Sequence, residues 1–345
     1  MLLVLTVYSA IFSNKKMINK MLAASIFILA SSVAGAQQKQ TAGKIISLDP
    51  KFYELIDSQA TIEVLADGFG WSEGPVWIKD GNYLLFSDVK KNIIFKWKEG
   101  EGATPYLQPS GYTGSGIYSD EPGSNGLILN SMGELVSCEH GDRRVSAMSL
   151  QTKAKRTLAD NFNGKKFNSP NDIVQKSNGD YYFTDPPYGL PIQKSTEVLG
   201  VYRLAKNGAV TLLIDHLTPN GLAFSPDEKI LYVNQSLPEK AYIYAYDVKD
   251  DGTLANGRLF FDATPMVKQG LPGLPDGLKV DKKGFIFSTG PGGVLVLSAD
   301  GKLLGRIDTL QPTANCAWGN NGSVLYITAN NLLCRIQTKT IGVGF

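Results

Sequence analysis

One phrase of this chain, SPNDIVQKSNGDYYFTD from Ser169, recurs in outline along most of its length. Its counterparts are SEGPVWIKDGNYLLFSD from Ser72, SNGLILNSMGELVSCEH from Ser124, PNGLAFSPDEKILYVNQ from Pro219, PDGLKVDKKGFIFSTGP from Pro275 and the weaker ANCAWGNNGSVLYITAN from Ala314. Each opens on a small residue or proline, continues with a polar residue and enters a short apolar run. A Gly- or Asp-containing turn then leads into a second apolar run. The second residues are Glu73, Asn125, Asn171, Asn220, Asp276 and Asn315, at intervals of 52, 46, 49, 56 and 39 residues. A period near fifty with two strands in every copy restricts the chain to a radial or stacked β array. Further strand-like runs (NIIFKWKE, RRVSAMSL, GVYRLAKNGAVTLLI, AYIYAYDV, GVLVLSADGKLLGRI) lie between the copies. Four antiparallel strands per repeat make one propeller blade. The sequence predicts an all-β, six-bladed β-propeller of four-stranded antiparallel blades over residues 51–345. A pair of β-sandwiches is the competing arrangement, and the regular period disfavours it.

In a propeller the first strand of each blade runs along the central channel. Equivalent residues of the six repeats should then form a ring at one mouth. Asn and Asp are common in turns, which accounts for any one of these positions but poorly for all six. The ring offers carboxylate and amide oxygens, with no thiolate or imidazole. That donor chemistry suits a hard divalent cation, Ca²⁺ first, with Mg²⁺, Mn²⁺ or Zn²⁺ as alternatives. A dication would also offset repulsion between Glu73 and Asp276. Asp88, Glu139, Asp185 and Asn234 end the second strands and form a candidate outer layer. His140, one of two histidines, follows Glu139 and is placed to relay a proton. Arg143 follows on HGDRRV, either near the mouth or on a solvated strand edge.

Composition limits the partners. With 34 basic and 32 acidic residues the net charge is +2, which gives no reason to expect nucleic acid. No Gly-x-Ser-x-Gly elbow and no glycine-rich phosphate loop is present. Cys138, Cys316 and Cys334 are too widely spaced for a zinc site and fall in apolar runs; buried free thiols are expected, with a Cys316–Cys334 bridge as the alternative. At the N-terminus, Lys15, Lys16 and Lys20 precede a short apolar run and Ala34-Gly35-Ala36. This reads as a signal peptide over residues 1–36, then a linker over 37–50, in a chain exported to the periplasm or secreted. An uncleaved N-terminal anchor is the other reading. After cleavage, stable membrane insertion is not expected, nor is an obligate protein partner.

The motifs WSEGPVW, SNGL, CEHGDRRV, NSPNDIVQKSNGDYYFTDPPYGL, PNGLAFSPDEKILYV and LPDGLKVD resemble the gluconolactonase / regucalcin-like (senescence marker protein) lactonases, and the gluconolactonase branch in particular. The likeness covers nearly all of residues 60–340. It implies a six-bladed, metal-dependent hydrolase acting on sugar lactones and related esters. By resemblance the metal ligands are Glu73, Asn171, Asn220 and Asp276, with Asp276 as base or nucleophile and His140 as an alternative base acting through water. Regucalcin-like members carry an arginine two residues before the first asparagine, and here that position is Ser169. Substrate contacts are therefore sought among Asn125, Glu139, Arg143, Asp185 and Tyr188. The competing functions are a non-catalytic propeller binding a glycan or protein around a structural Ca²⁺, and the same site acting on an aryl ester or organophosphate.

Overall fold

A computed structural model describes residues 40–191 and 198–345; residues 1–36, expected to be the signal segment, lie outside the described residues. The predicted propeller is present. Blades 1 to 5 occupy residues 72–107, 124–159, 173–214, 219–262 and 278–308, each with four antiparallel strands in chain order. Blade 6 has only three strands of its own, in 313–337, and takes its outermost strand, Glu63–Ala66, from the N-terminal side of the chain. The chain is thus closed into a ring by backbone hydrogen bonds between its two ends. Lys44–Ser47, in the stretch read as a linker, is a fifth strand on the outer edge of blade 5. Its four residues, KIIS, carry no alternation that would mark a strand. Among the described residues, helix is confined to Thr264–Lys268 and two single turns.

The apolar cores lie between blades rather than on the axis. Ile78, Leu85 and Ile94 of blade 1 pack on Leu127, Leu135 and Met148 of blade 2. Corresponding clusters join every later neighbouring pair. Blades 6 and 1 meet through Trp77, which stacks on Tyr326 at 5.3 Å between ring centroids. A stacked aromatic pair of this kind adds about 0.5–1.5 kcal/mol beyond area burial. The alternating pleat explains the arrangement: successive side chains point to opposite faces, and the inner strands are buried on both because a neighbouring blade covers each side. Cys316 and Cys334 both sit opposite Ile327 on its two neighbouring strands. They are two strand spacings apart, roughly 9.5 Å, beyond disulfide reach, and all three cysteines are buried and free.

Near the axis the blades touch through backbone. Gly221 N donates to Asp276 O at 3.0 Å, Gly126 N to Asn171 O at 2.7 Å and Gly277 N to Ala314 O at 2.8 Å. Hydroxyls on the second strands add to these contacts: Ser87 Oγ donates to Asn125 O, and Thr289 Oγ1 to Ala314 O. A Cβ on Gly221 would lie 2.2 Å from Asp276 O, so glycine is required there by the approach of the next blade. Gly221→Ala is expected to lower stability by about 1–3 kcal/mol, the usual cost of overpacking, read as a reduced urea midpoint. A wild-type midpoint would show that the blades can separate there freely.

Candidate active site

The six-membered ring predicted from the repeat is assembled at one mouth of the channel. Glu73, Asn125, Asn220 and Asn315 lie on the innermost strands of their blades, each beside a register shift; Asn171 and Asp276 stand two residues before theirs. The shifts locally disrupt the ladder and redirect a side chain. Asn315 Nδ2 donates to Glu73 Oε2 at 3.1 Å. Asn125 Nδ2 donates to Asn171 Oδ1 at 2.8 Å, Asn171 Nδ2 to Asn220 Oδ1 at 2.6 Å, and Asn220 Nδ2 to Ser236 Oγ at 3.0 Å. Above the ring opens a cavity of about 710 Å³. Glu73, Asn125, Asn171, Asn220, Asp276 and Tyr188 reach it, with Trp71, Leu274 and Pro312 among the apolar walls.

Three carboxylates are concentrated at the axis. Glu73 is buried, and burial followed by the charge of Asp172 holds its carboxyl above the ordinary range. Asp276 is raised by burial and then by the charges of Glu73 and Asp172. Asp172 is raised by burial, opposed by Lys279. Lys279 Nζ approaches Asn315 Oδ1 at 3.4 Å and is the cation that counters Glu73 and Asp172 from within the channel. Were all three ionised, the one lysine would leave two negative charges uncompensated. Asp172 Oδ2 and Asn125 Oδ1 are buried without hydrogen-bond partners. Among the described residues no three His, Cys, Asp or Glu side chains converge as a metal cage. The donor set is instead two carboxylates with amide oxygens, and its charge, its oxygen chemistry and its orphaned acceptor fit a hard divalent cation.

The remaining predicted residues are placed differently. His140 is fully buried behind Asn171: Nε2 faces Asn171 Oδ1 at 3.2 Å and Nδ1 faces Glu121 O at 3.1 Å. Burial lowers its pKa to about 4, so it is a neutral group one layer from the cavity and does not touch it. Glu139, expected at the substrate, is instead enclosed in a structural network with Lys155 and Arg144, each at 2.6 Å, and Ser146. Arg143 and Asp185, also expected there, line a separate cavity of about 230 Å³. Arg143 Nε donates to the carbonyls of Phe167 and Asn168, and Asp185 Oδ2 accepts from Asn168 N. The physical reason is common to all three: they end or follow second strands, whose rims diverge from the axis. Asp88 caps the loop at Gly70 and Lys91; of that layer Asn234 reaches the ring, donating to Asp276 O. Ser169 holds Pro186 O and Gly189 N and is buried. Sequence reading missed Trp71, Glu121, Asp172, Ser236 and Lys279. Asp172 had a signal, since four of the six ring residues are followed by glycine and Asn171 is not.

Fold and site together define a six-bladed propeller with a carboxylate–amide ring at the bottom of an axial cavity. A family model, the SMP-30/Gluconolactonase/LRE-like region, matches residues 71–331. The chain belongs to that family. A gluconolactonase of Zymomonas mobilis is 39% identical over 320 residues, 88% of each chain. A pentonolactonase of Haloferax volcanii is 28% identical, covering 74% of this chain and 80% of that one. Among solved structures, a gluconolactonase of Xanthomonas campestris superposes with a TM-score of 0.76 at 30% identity, over 87% of this chain and 97% of that one.

Asp185 provides a test of the second cavity. It is buried, its Oδ1 has no partner, and burial pushes its pKa up to about 7 despite nearby Arg143. A raised carboxyl contributes stability below its unfolded pKa near 4, and loses it as pH rises through about 7. Asp185→Asn should therefore gain stability over the unmutated protein between pH 5 and 7, by up to about 1.4 kcal/mol per pH unit, measured as urea midpoints. A constant difference across that window would mean Asp185 is ionised at low pH.

Proposed function

We propose that this chain hydrolyses a sugar lactone in the axial cavity, with a divalent cation, Ca²⁺ in the first instance, held by Glu73, Asn171, Asn220 and Asp276. The supporting observation is the pair of buried carboxylates facing one cavity with amide oxygens between them. When bound, such a cation polarises a carbonyl and offsets the charge that develops on its oxygen. The relatives named above are lactonases, which supports the same substrate class here.

The chain's own residues divide the remaining work. Asp276 opens on the cavity and, ionised beside the cation, serves as the base. It takes a proton from water as the water oxygen bonds to the lactone carbonyl carbon. The ring C–O bond then breaks, and the departing ring oxygen takes that proton, so lactone and water become a hydroxy acid. Asn125 and Tyr188 carry polar atoms on the wall for the sugar hydroxyls. Trp71, Leu274 and Pro312 provide apolar surface for a ring face and limit water around it. With Asp276 as base, the rate is expected to rise with pH as its carboxyl ionises, because only the ionised form accepts the proton.

Acid release from glucono- and pentono-lactones, followed in a pH-stat, tests the reading. Asp276→Asn is expected to lower kcat about 10²–10³-fold, the scale of one lost transition-state group. Failure of the unmutated protein to open any lactone of the panel would favour the non-catalytic, glycan-binding alternative.

A further inference from the structure

Two of the ring asparagines, Asn171 and Asn220, belong to a longer run of polar contacts with an unusual hydrogen count. It begins at the Glu121 carbonyl, passes through His140, Asn171, Asn220 and Ser236, and ends at the Pro275 carbonyl. Both ends are carbonyl oxygens, which only accept. Between them a neutral imidazole, two amides and a hydroxyl each offer one hydrogen along the run. Four hydrogens serve five contacts. One contact must therefore pair two acceptors, whichever way the amides and the imidazole tautomer are set. Supplying a fifth hydrogen as imidazolium would place a charge on a fully buried ring, which burial opposes.

With Asn171 Oδ1 turned to His140, the mismatch falls at the imidazole, both of whose nitrogens face oxygens. A half-turn of the Asn171 amide exchanges its donor and acceptor. Its NH₂ then donates to His140 Nε2, while Nδ1–H donates to Glu121 O. The mismatch moves to the Asn171–Asn220 contact, where two amide oxygens now face each other. Asn220 is kept in this sense from the far side: its NH₂ donates to Ser236 Oγ, whose hydroxyl donates to Pro275 O. Two facing carbonyl oxygens suit a hard cation, and a cation held by Asn171 and Asn220 would take the place of the missing hydrogen. Asn125 can follow: the same half-turn of its amide turns its Oδ1 to accept the second N–H of Asn171, at the contact its Nδ2 now makes. Gly189 secures the imidazole, since a Cβ there would lie 2.3 Å from His140 Cβ.

We infer that His140 and Ser236 are positioning residues, anchored on the Glu121 and Pro275 carbonyls, that turn the side-chain oxygens of Asn171 and Asn220 toward one shared cation. This rests on the cation-dependent reading proposed above. It assigns His140 a role through Asn171 and not at the substrate.

The chain has two histidines, and His216 is largely exposed, so His216→Asn protein carrying ¹⁵N-labelled histidine reports His140 alone. In this protein loaded with CaCl₂, the imidazole ¹⁵N shifts are expected to show a neutral ring protonated at Nδ1. Calorimetric titration of calcium into chelator-treated protein should show His140→Phe and Ser236→Ala binding about tenfold or more weakly than the unmutated chain, the scale for residues that orient a metal ligand. An Nε2-protonated or doubly protonated ring in the loaded protein overturns the inference while the cation reading stands. So does unchanged calcium affinity in Ser236→Ala, which also decides the matter if His140→Phe does not fold. Absence of calcium binding by the unmutated protein overturns both.

Discussion

Glu73 and Asp276 face the same cavity, and neither can be ionised there without raising the other's pKa. Asp172, one layer deeper, adds a third acid, and Lys279 answers one of the three. Burial makes this arrangement costly, because charge taken out of water must be paired or given up. A protein that merely needed a closed channel would place apolar side chains there, as it does between the blades. The retention of acids and amides at the axis is therefore the feature from which the site, and the cation and chemistry proposed for it, follow.

The fold makes such a concentration possible at low conformational cost. Six strands start at the axis, so six equivalent positions meet without any long loop having to be ordered. Stability comes from the apolar clusters between blades, which leaves the axis free to be polar. The glycine–carbonyl contacts from blade to blade set how closely the ring residues approach. Closure by Glu63–Ala66 in blade 6 ties the two ends of the chain together, so the ring dimension does not drift.

The repeat made the architecture and the six ring positions legible, because a residue's place in the copy determines its height on the axis. Legibility fell off with distance from the innermost strand. Glu139, Arg143 and Asp185 look in sequence like members of the site: polar, beside apolar runs, in register. Their rims diverge from the axis, and their partners, Lys155, the Phe167 carbonyl and Asn168, come from segments 16 to 24 residues away, which local pattern cannot reveal. Lys44–Ser47 and Glu63–Ala66 escaped because outer-edge strands are covered on one side only and need no strong apolar alternation. Lys279 and Ser236 were plain in sequence but carry meaning only once their neighbours are in place.

The cation proposed at the axial oxygens should support both stability and turnover. The most direct measurement is a paired one: thermal midpoint and lactone turnover of chelator-stripped protein before and after Ca²⁺ is restored. Binding to the native state alone raises stability by mass action, about 2.7 kcal/mol at a hundred times Kd. Stripping is expected to lower both quantities and Ca²⁺ to restore both. Stripped protein that melts and turns over as the untreated protein does would contradict the proposal.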